Sequence, residues 1–168
     1  MNILWTPWRL RYILRAKSAD KIEECILCDK VRYPADDKNN YVLHRGRYCY
    51  IMLNLYPYTN GHIMVVPYRH EGDLTRLDND SLYDMSALTR ASVAALERLM
   101  QPTGFNIGMN IGRVAGAGIT EHVHMHVVPR WSGDSNFMTV LGGTRMIPED
   151  LDETYKKLLP LLVEEVSK

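Results

Sequence analysis

His122-Val123-His124-Met125-His126-Val127-Val128 alternates imidazole and apolar side chains without a break. On an extended strand, successive side chains point to opposite sides, so this spacing predicts three imidazoles on one face and Val123, Met125 and Val127 on the other. Six histidines occur in the 168 residues, and three of them fall in this one stretch. Histidine is a mediocre strand former, and three neighbouring imidazolium cations would repel one another. Such a cluster is used neutral, as nucleophile, acid or base, or metal ligand.

The segment leading into it is rich in glycine. Asn110-Ile111-Gly112-Arg113-Val114-Ala115-Gly116-Ala117-Gly118-Ile119-Thr120 offers main-chain N–H groups, with Asn110, Arg113 and Thr120 as further donors. Glycines let the backbone approach a ligand, and consecutive N–H groups form a concavity for an anion. Beside three histidines this points to phosphate. Imidazole is a good nucleophile toward phosphorus and a phosphohistidine leaves readily, so loop and strand together indicate nucleotidyl transfer through a covalent histidine intermediate.

Further out, the pattern predicts an α+β domain with a mainly antiparallel sheet. Residues from Tyr41 to Leu55 are β-formers broken at Gly46, a hairpin; His62 to Val66 is an apolar strand ended by Pro67; Phe105 to Ile111 and His122 to Val128 are two more strands. Leu82, Met85, Leu88, Ala91, Ala95, Leu96 and Leu99 recur at helical spacing over residues 80–100, about six turns. Asn79 or Asp80 is the expected cap of this helix, and Pro102 with Gly104 its stop. A last helix is expected from Pro148, with Leu151, Tyr155, Leu158, Leu162 and Val166 on one face and a kink at Pro160.

Lys and Arg (20) balance Asp and Glu (20). That balance argues against a nucleic-acid surface or a membrane-binding face, and no apolar run reaches the length of a membrane span. The start, Met1-Asn2-Ile3-Leu4-Trp5-Thr6-Pro7-Trp8-Arg9, lacks the layout of a signal peptide, so a cytoplasmic protein is expected. Three cysteines make no disulfide framework. Cys25-x-x-Cys28 has the spacing of a zinc knuckle but supplies two ligands of four. Cys49, in an apolar strand, reads as a buried thiol. Tyr48, Tyr50, Tyr56 and Tyr58 read as packing or pocket-lining residues, and the charges around Arg76 and Asp78 as a solvated helix edge.

The triad, its upstream Asn-x-Gly…Ala-Gly loop and the following Val127-Val128-Pro129-Arg130 resemble the histidine triad (HIT) superfamily of nucleotide hydrolases and transferases, over roughly residues 23–131. Leu53-Asn54-Leu55-Tyr56-Pro57 is similar to that family's nucleoside-pocket segment, and Gly61-His62-Ile63-Met64-Val65-Val66-Pro67 to its Gly-His strand. Trp5-Thr6-Pro7-Trp8-Arg9 and Pro129-Arg130-Trp131-x-Gly133-Asp134-x-Asn136-Phe137-Met138 look like the bacterial diadenosine tetraphosphate phosphorylase branch. The resemblance implies a HIT-like five-stranded sheet with one long central helix and a C-terminal helix. It divides the chain into an aromatic and basic arm (1–22), a HIT domain (23–138) and a C-terminal extension (139–168).

By the same resemblance His124 is the nucleophile on the α-phosphorus, giving an adenylyl-histidine, and His126 the neighbouring acid or phosphate ligand. Asn54 and His62 belong to the nucleoside pocket, and Asn110, Gly116 and Thr120 lie near the α-phosphate. The loop has one residue more than the commonest form, so Gly118, Ile119 and Thr120 compete for the place of its usual polar residue. Zinc-bearing members complete the Cys pair with the His beyond the Gly-His strand and the first His of the triad, here His70 and His122, which makes zinc the expected structural cofactor. The expected reaction is cleavage of diadenosine tetraphosphate by phosphate to ADP and ATP, with nucleotide and phosphate as partners and a homodimer or larger as the assembly. Release of AMP with water as acceptor, including phosphoramidase action, is the alternative. A metal-dependent hydrolase with zinc on His122, His124 and His126, or a non-catalytic nucleotide-binding module, is the alternative of another class.

Overall fold

The computed structural model describes residues 25–134 and 149–168. The Trp5–Arg9 arm, Asn136-Phe137-Met138 and the helix start expected at Pro148 lie outside the described residues. A short helix α1 (Ile26–Lys30) precedes the strands β1 (Val42–Arg45), β2 (Cys49–Leu53) and β3 (Ile63–Pro67). The long helix α2 (Asn79–Met100) follows, then β4 (Gly104–Gly108), β5 (Met125–Arg130) and the closing helix α3 (Leu151–Val166). The strands form one antiparallel sheet in the order β1-β2-β3-β5-β4, as the α+β reading expects.

Every residue of β2 and β3 is buried, because both faces of the sheet are covered. On one face Ile51, Leu53, Ile63, Val65 and Val127 meet Met85, Leu88, Ala95 and Leu96 of α2 and Tyr155, Leu158 and Leu162 of α3. On the other, Tyr50, Met52, Met64 and Val66 meet Leu27 of α1, which seats the Cys25–Cys28 turn against the sheet. Arg45 reinforces that seat: it grips the Asp37 carboxylate at 2.6 and 2.9 Å and donates to the Val31 carbonyl at 3.0 Å.

Several boundaries differ from expectation for local reasons. The cap of α2 is Asp78, whose carboxylate accepts from the Ser81 amide, and the helix stops at Gln101 in the left-handed region (φ 47°) while Gly104 already opens β4. The strand expected over Phe105 to Ile111 ends at Gly108. Helix α3 begins at Leu151, because the Asp150 carboxylate accepts from the Glu153 amide, and Pro160 lies inside it. The largest correction concerns the histidines. β5 starts at Met125, so of the triad His126 alone belongs to the ladder, and His122 and His124 precede it. Continued, the register would set Pro67 opposite Val123; Pro67 has no N–H to give, and the Val123 amide donates to the Glu71 carbonyl at 2.8 Å. No helix of the described residues is long and apolar enough to cross a membrane.

Candidate functional site

Four ligand-type residues meet where α1 touches the lead-in to β5. Sγ of Cys25 lies 3.4 Å and Sγ of Cys28 3.5 Å from Nδ1 of His122, and Nδ1 of His70 lies 3.5 Å from Cys28 Sγ. All four ligand atoms are within 4.8 Å of one another. The geometry fits zinc: metal–sulfur and metal–nitrogen bonds of about 2.3 and 2.0 Å at tetrahedral angles place S and N roughly 3.5 Å apart. The other ring nitrogen of His122 faces the Pro67 carbonyl at 2.8 Å. A carbonyl only accepts, so Nε2 carries the proton and Nδ1 presents its lone pair to the sulfurs. Burial, then the neighbouring Cys25, pushes the Cys28 thiol up to about 11. That keeps the Cys28 thiol protonated near pH 7; two adjacent thiolates here would need a cation such as Zn²⁺ between them.

The same reasoning assigns the proton on three further imidazoles. Nδ1 of His124 lies 2.8 Å from the His122 carbonyl, so it donates there and Nε2 keeps its lone pair. Nδ1 of His62 accepts from the Tyr58 amide at 3.1 Å, so the proton of His62 sits on Nε2. That proton is donated to Nδ1 of His126 at 2.9 Å. Burial, then the neighbouring His124, pushes His126 down to about 4, which keeps it neutral near pH 7 with its one proton on Nε2. The rings of His124 and His126 are 4.8 Å apart, edge to face. The result is a pair of neighbours with opposite roles: a lone pair on His124 Nε2 and a donor on His126 Nε2.

This division separates the histidines of the motif. Both nitrogens of His122 are committed to the cysteine side and to Pro67, and Nδ1 of His126 to His62, so the three imidazoles do not converge on one metal ion. His62, expected in the nucleoside pocket, bonds directly to His126 and is 1% exposed. Asn54 lies next to it: its Nδ2 is 3.4 Å from His62 Nδ1, and its Oδ1 accepts from the Tyr56 amide at 2.9 Å.

The glycine loop leaves β4 at Gly108, the register partner of His126, and returns at His122, so both its roots flank the histidines. Gly112 and Gly116 adopt φ values of 82° and 93°, bracketing a single turn from Arg113 to Ala115. That turn uses the amides of Ala115, Gly116 and Ala117 internally, the Gly116 amide on the Arg113 carbonyl. Among the described residues, the amides of Gly118, Ile119 and Thr120 have no protein partner, and Asn110 folds back beside Gly116. The far end of the loop lies on the segment after His70: a Cβ on Gly72 would stand 2.7 Å from the Thr120 carbonyl oxygen. Sequence reasoning missed these main-chain participants — Pro67, Glu71, Gly72 and the Tyr58 amide — because a carbonyl or an amide has no residue-type signature. The exception is Gly72, where a glycine just after a ligand histidine is a usable signal. Cys49 is a buried thiol as expected, held against the Ser81 carbonyl.

Comparison with known proteins bears on this geometry. The HIT domain family matches residues 36–133 of the chain. An AP-4-A phosphorylase of Mycobacterium tuberculosis is 38% identical over 162 residues, covering 92% of this chain and 81% of that one. A Zn-bound histidine triad family protein from Mycobacterium smegmatis has the same fold, with a TM-score of 0.65 at 27% identity over 86% of this chain and 96% of that one. Diadenosine triphosphate hydrolase of Plasmodium falciparum gives a TM-score of 0.60 at 21% identity over 76% of this chain and 78% of that one, a likeness of fold alone.

Proposed function

The chain belongs to the HIT domain family, and from that premise we propose that it is a dinucleoside polyphosphate phosphorylase working through an adenylyl-His124 intermediate. The observation that carries this reading is the pairing of protons: His124 donates from Nδ1 to the His122 carbonyl and so keeps a nucleophilic Nε2 beside the Nε2–H of His126. In the first step Nε2 of His124 bonds to the α-phosphorus of diadenosine tetraphosphate and the bond to the bridging oxygen breaks. ATP departs as an anion, and His126 Nε2–H stabilises the charge developing on its oxygen. Nδ1–H of the resulting phospho-imidazolium stays on the His122 carbonyl. In the second step phosphate attacks the same phosphorus, releasing ADP and restoring His124.

The amides of Gly118 and Thr120, which have no partner among the described residues, and Asn110 supply donors for the phosphate oxygens, and Gly116 contributes the turn that presents them. Asn54 is assigned to the ribose. Cys25, Cys28, His70 and His122 would hold zinc, whose part is to fix the fold around His122. The assembly is proposed as a homodimer; β4 is an outer strand with Ile107 48% exposed, an edge that a second copy can cover.

Incubation with diadenosine tetraphosphate, with and without phosphate, tests the reading. ADP and ATP are expected when phosphate is present. AMP and ATP in both reactions would make water the acceptor, and the absence of any nucleotide product would overturn the enzymatic reading in favour of a binding module.

A further inference from the structure

Tyr58 touches the site twice. Its amide donates to His62 Nδ1 at 3.1 Å. Its ring lies against His62 with centroids 4.6 Å apart at 44°, and is stacked over His126 at 5.8 Å and 29°. The tyrosine itself is 40% exposed, whereas His62 and His126 are 1% and 8% exposed. One side chain at the surface therefore roofs the hydrogen bond that joins two buried imidazoles.

The consequence follows from what a neutral imidazole can do. With His62 Nδ1 already accepting, its remaining proton must face His126, and His126 must accept it on Nδ1. The donor left to His126 is Nε2–H, strengthened because its opposite nitrogen accepts a hydrogen bond. Water reaching this chain could donate to His126 Nδ1 or accept from His62 Nε2, and either would loosen the assignment. An aromatic roof excludes it. We infer that Tyr58 is a positioning residue for leaving-group departure: its amide sets the His62 tautomer, and its ring keeps the His62–His126 bond dry, so that His126 Nε2–H is held ready for the bridging oxygen. This inference rests on the adenylyl-transfer reading above and assigns Tyr58 no contact with substrate.

A residue of this kind matters most when the leaving oxygen carries much charge. The test uses two aryl esters of AMP on the full chain: a nitrophenyl ester, whose phenolate departs unaided, and a phenyl ester, whose phenolate depends on the donor. Tyr58→Ala should lower kcat for the phenyl ester about tenfold while leaving the nitrophenyl ester within about twofold, a fraction of the effect of losing an oriented donor outright. KM should change little for either. Tyr58→Phe keeps ring and amide and should restore the wild-type ratio. In ¹⁵N NMR, His126 of the wild type should show one tautomer, protonated at Nε2, and Tyr58→Ala a mixture of two. Should Tyr58→Ala fail to fold, Tyr58→Leu is expected to move the ester ratio in the same direction by a smaller amount.

Equal slowing of both esters, or an unchanged ratio with a single tautomer retained, would overturn the positioning role while leaving the adenylyl-transfer reading in place. A wild-type chain that cleaves neither ester would instead overturn that reading.

Discussion

At the scale of single residues, chemistry here is a question of where protons sit. His124 and His126 are the same residue type two positions apart, and they differ because one faces the His122 carbonyl and the other the Nε2–H of His62. Replacing His124 with Gly should abolish turnover while leaving AMP binding and metal content intact; loss of zinc on that substitution would sink the nucleophile assignment. His126 makes a prediction about stability. An unfolded histidine titrates at its ordinary 6.5 and the folded His126 at about 4. Between these values the unfolded chain holds the extra proton, so this contribution is level above pH 6.5 and is lost as the pH falls toward 4. The loss is on the order of 3 kcal/mol. Urea unfolding of the wild type and His126→Gln at about pH 7 and about pH 4.5 should show the wild type losing more over that interval. Parallel pH profiles would mean that His126 is not buried neutral.

At the scale of elements, the site exists because loops are pinned to strand ends. The β4–β5 loop is rooted at Gly108 opposite His126 and rests on Gly72, while the Val123 amide bonds to Glu71. Gly72→Ala would place a methyl group 2.7 Å from the Thr120 oxygen and 3.1 Å from the Glu121 Cα. Both neighbours are backbone, so the loop must move. The expected cost is about 1–3 kcal/mol of stability, together with a raised KM, because the Gly118 and Thr120 amides shift. Thermal unfolding and steady-state kinetics on one preparation check both, and an unchanged KM would remove this loop from the phosphate site. Helix boundaries belong to this scale too. Asp78 and Asp150 stand among neighbouring acidic and amide residues, and what distinguishes a cap is a carboxylate reaching one particular amide.

At the scale of the whole molecule, the cysteine–histidine cluster joins pieces far apart in the chain: the Cys25–Cys28 turn, His70 after β3 and His122 before β5. Zinc there would tie α1 to the sheet face and fix the residue whose carbonyl orients His124. Metal analysis should give about one zinc per chain. Cys25→Ser should lower both the zinc content and the melting temperature, with activity falling in step with the folded fraction. Full zinc retention in that variant would remove Cys25 from the ligand set.

The alternation of His122 to Val128, the glycine run before it, the Cys-x-x-Cys spacing and the period of α2 all lie within one segment each, and local rules of strand, turn and helix make such patterns legible. From them the sequence determined the fold class, the triad and the cysteine pair, and the family resemblance added His70 and His122 as candidate ligands. Tertiary structure decided which partner each imidazole nitrogen meets. The proton positions on His122, His124, His62 and His126 depend on Pro67, the His122 carbonyl and the Tyr58 amide. The start of β5 depends on a proline in a neighbouring strand and on the Glu71 carbonyl. These partners are main-chain atoms brought near by folding, and no residue letter encodes where a carbonyl will point.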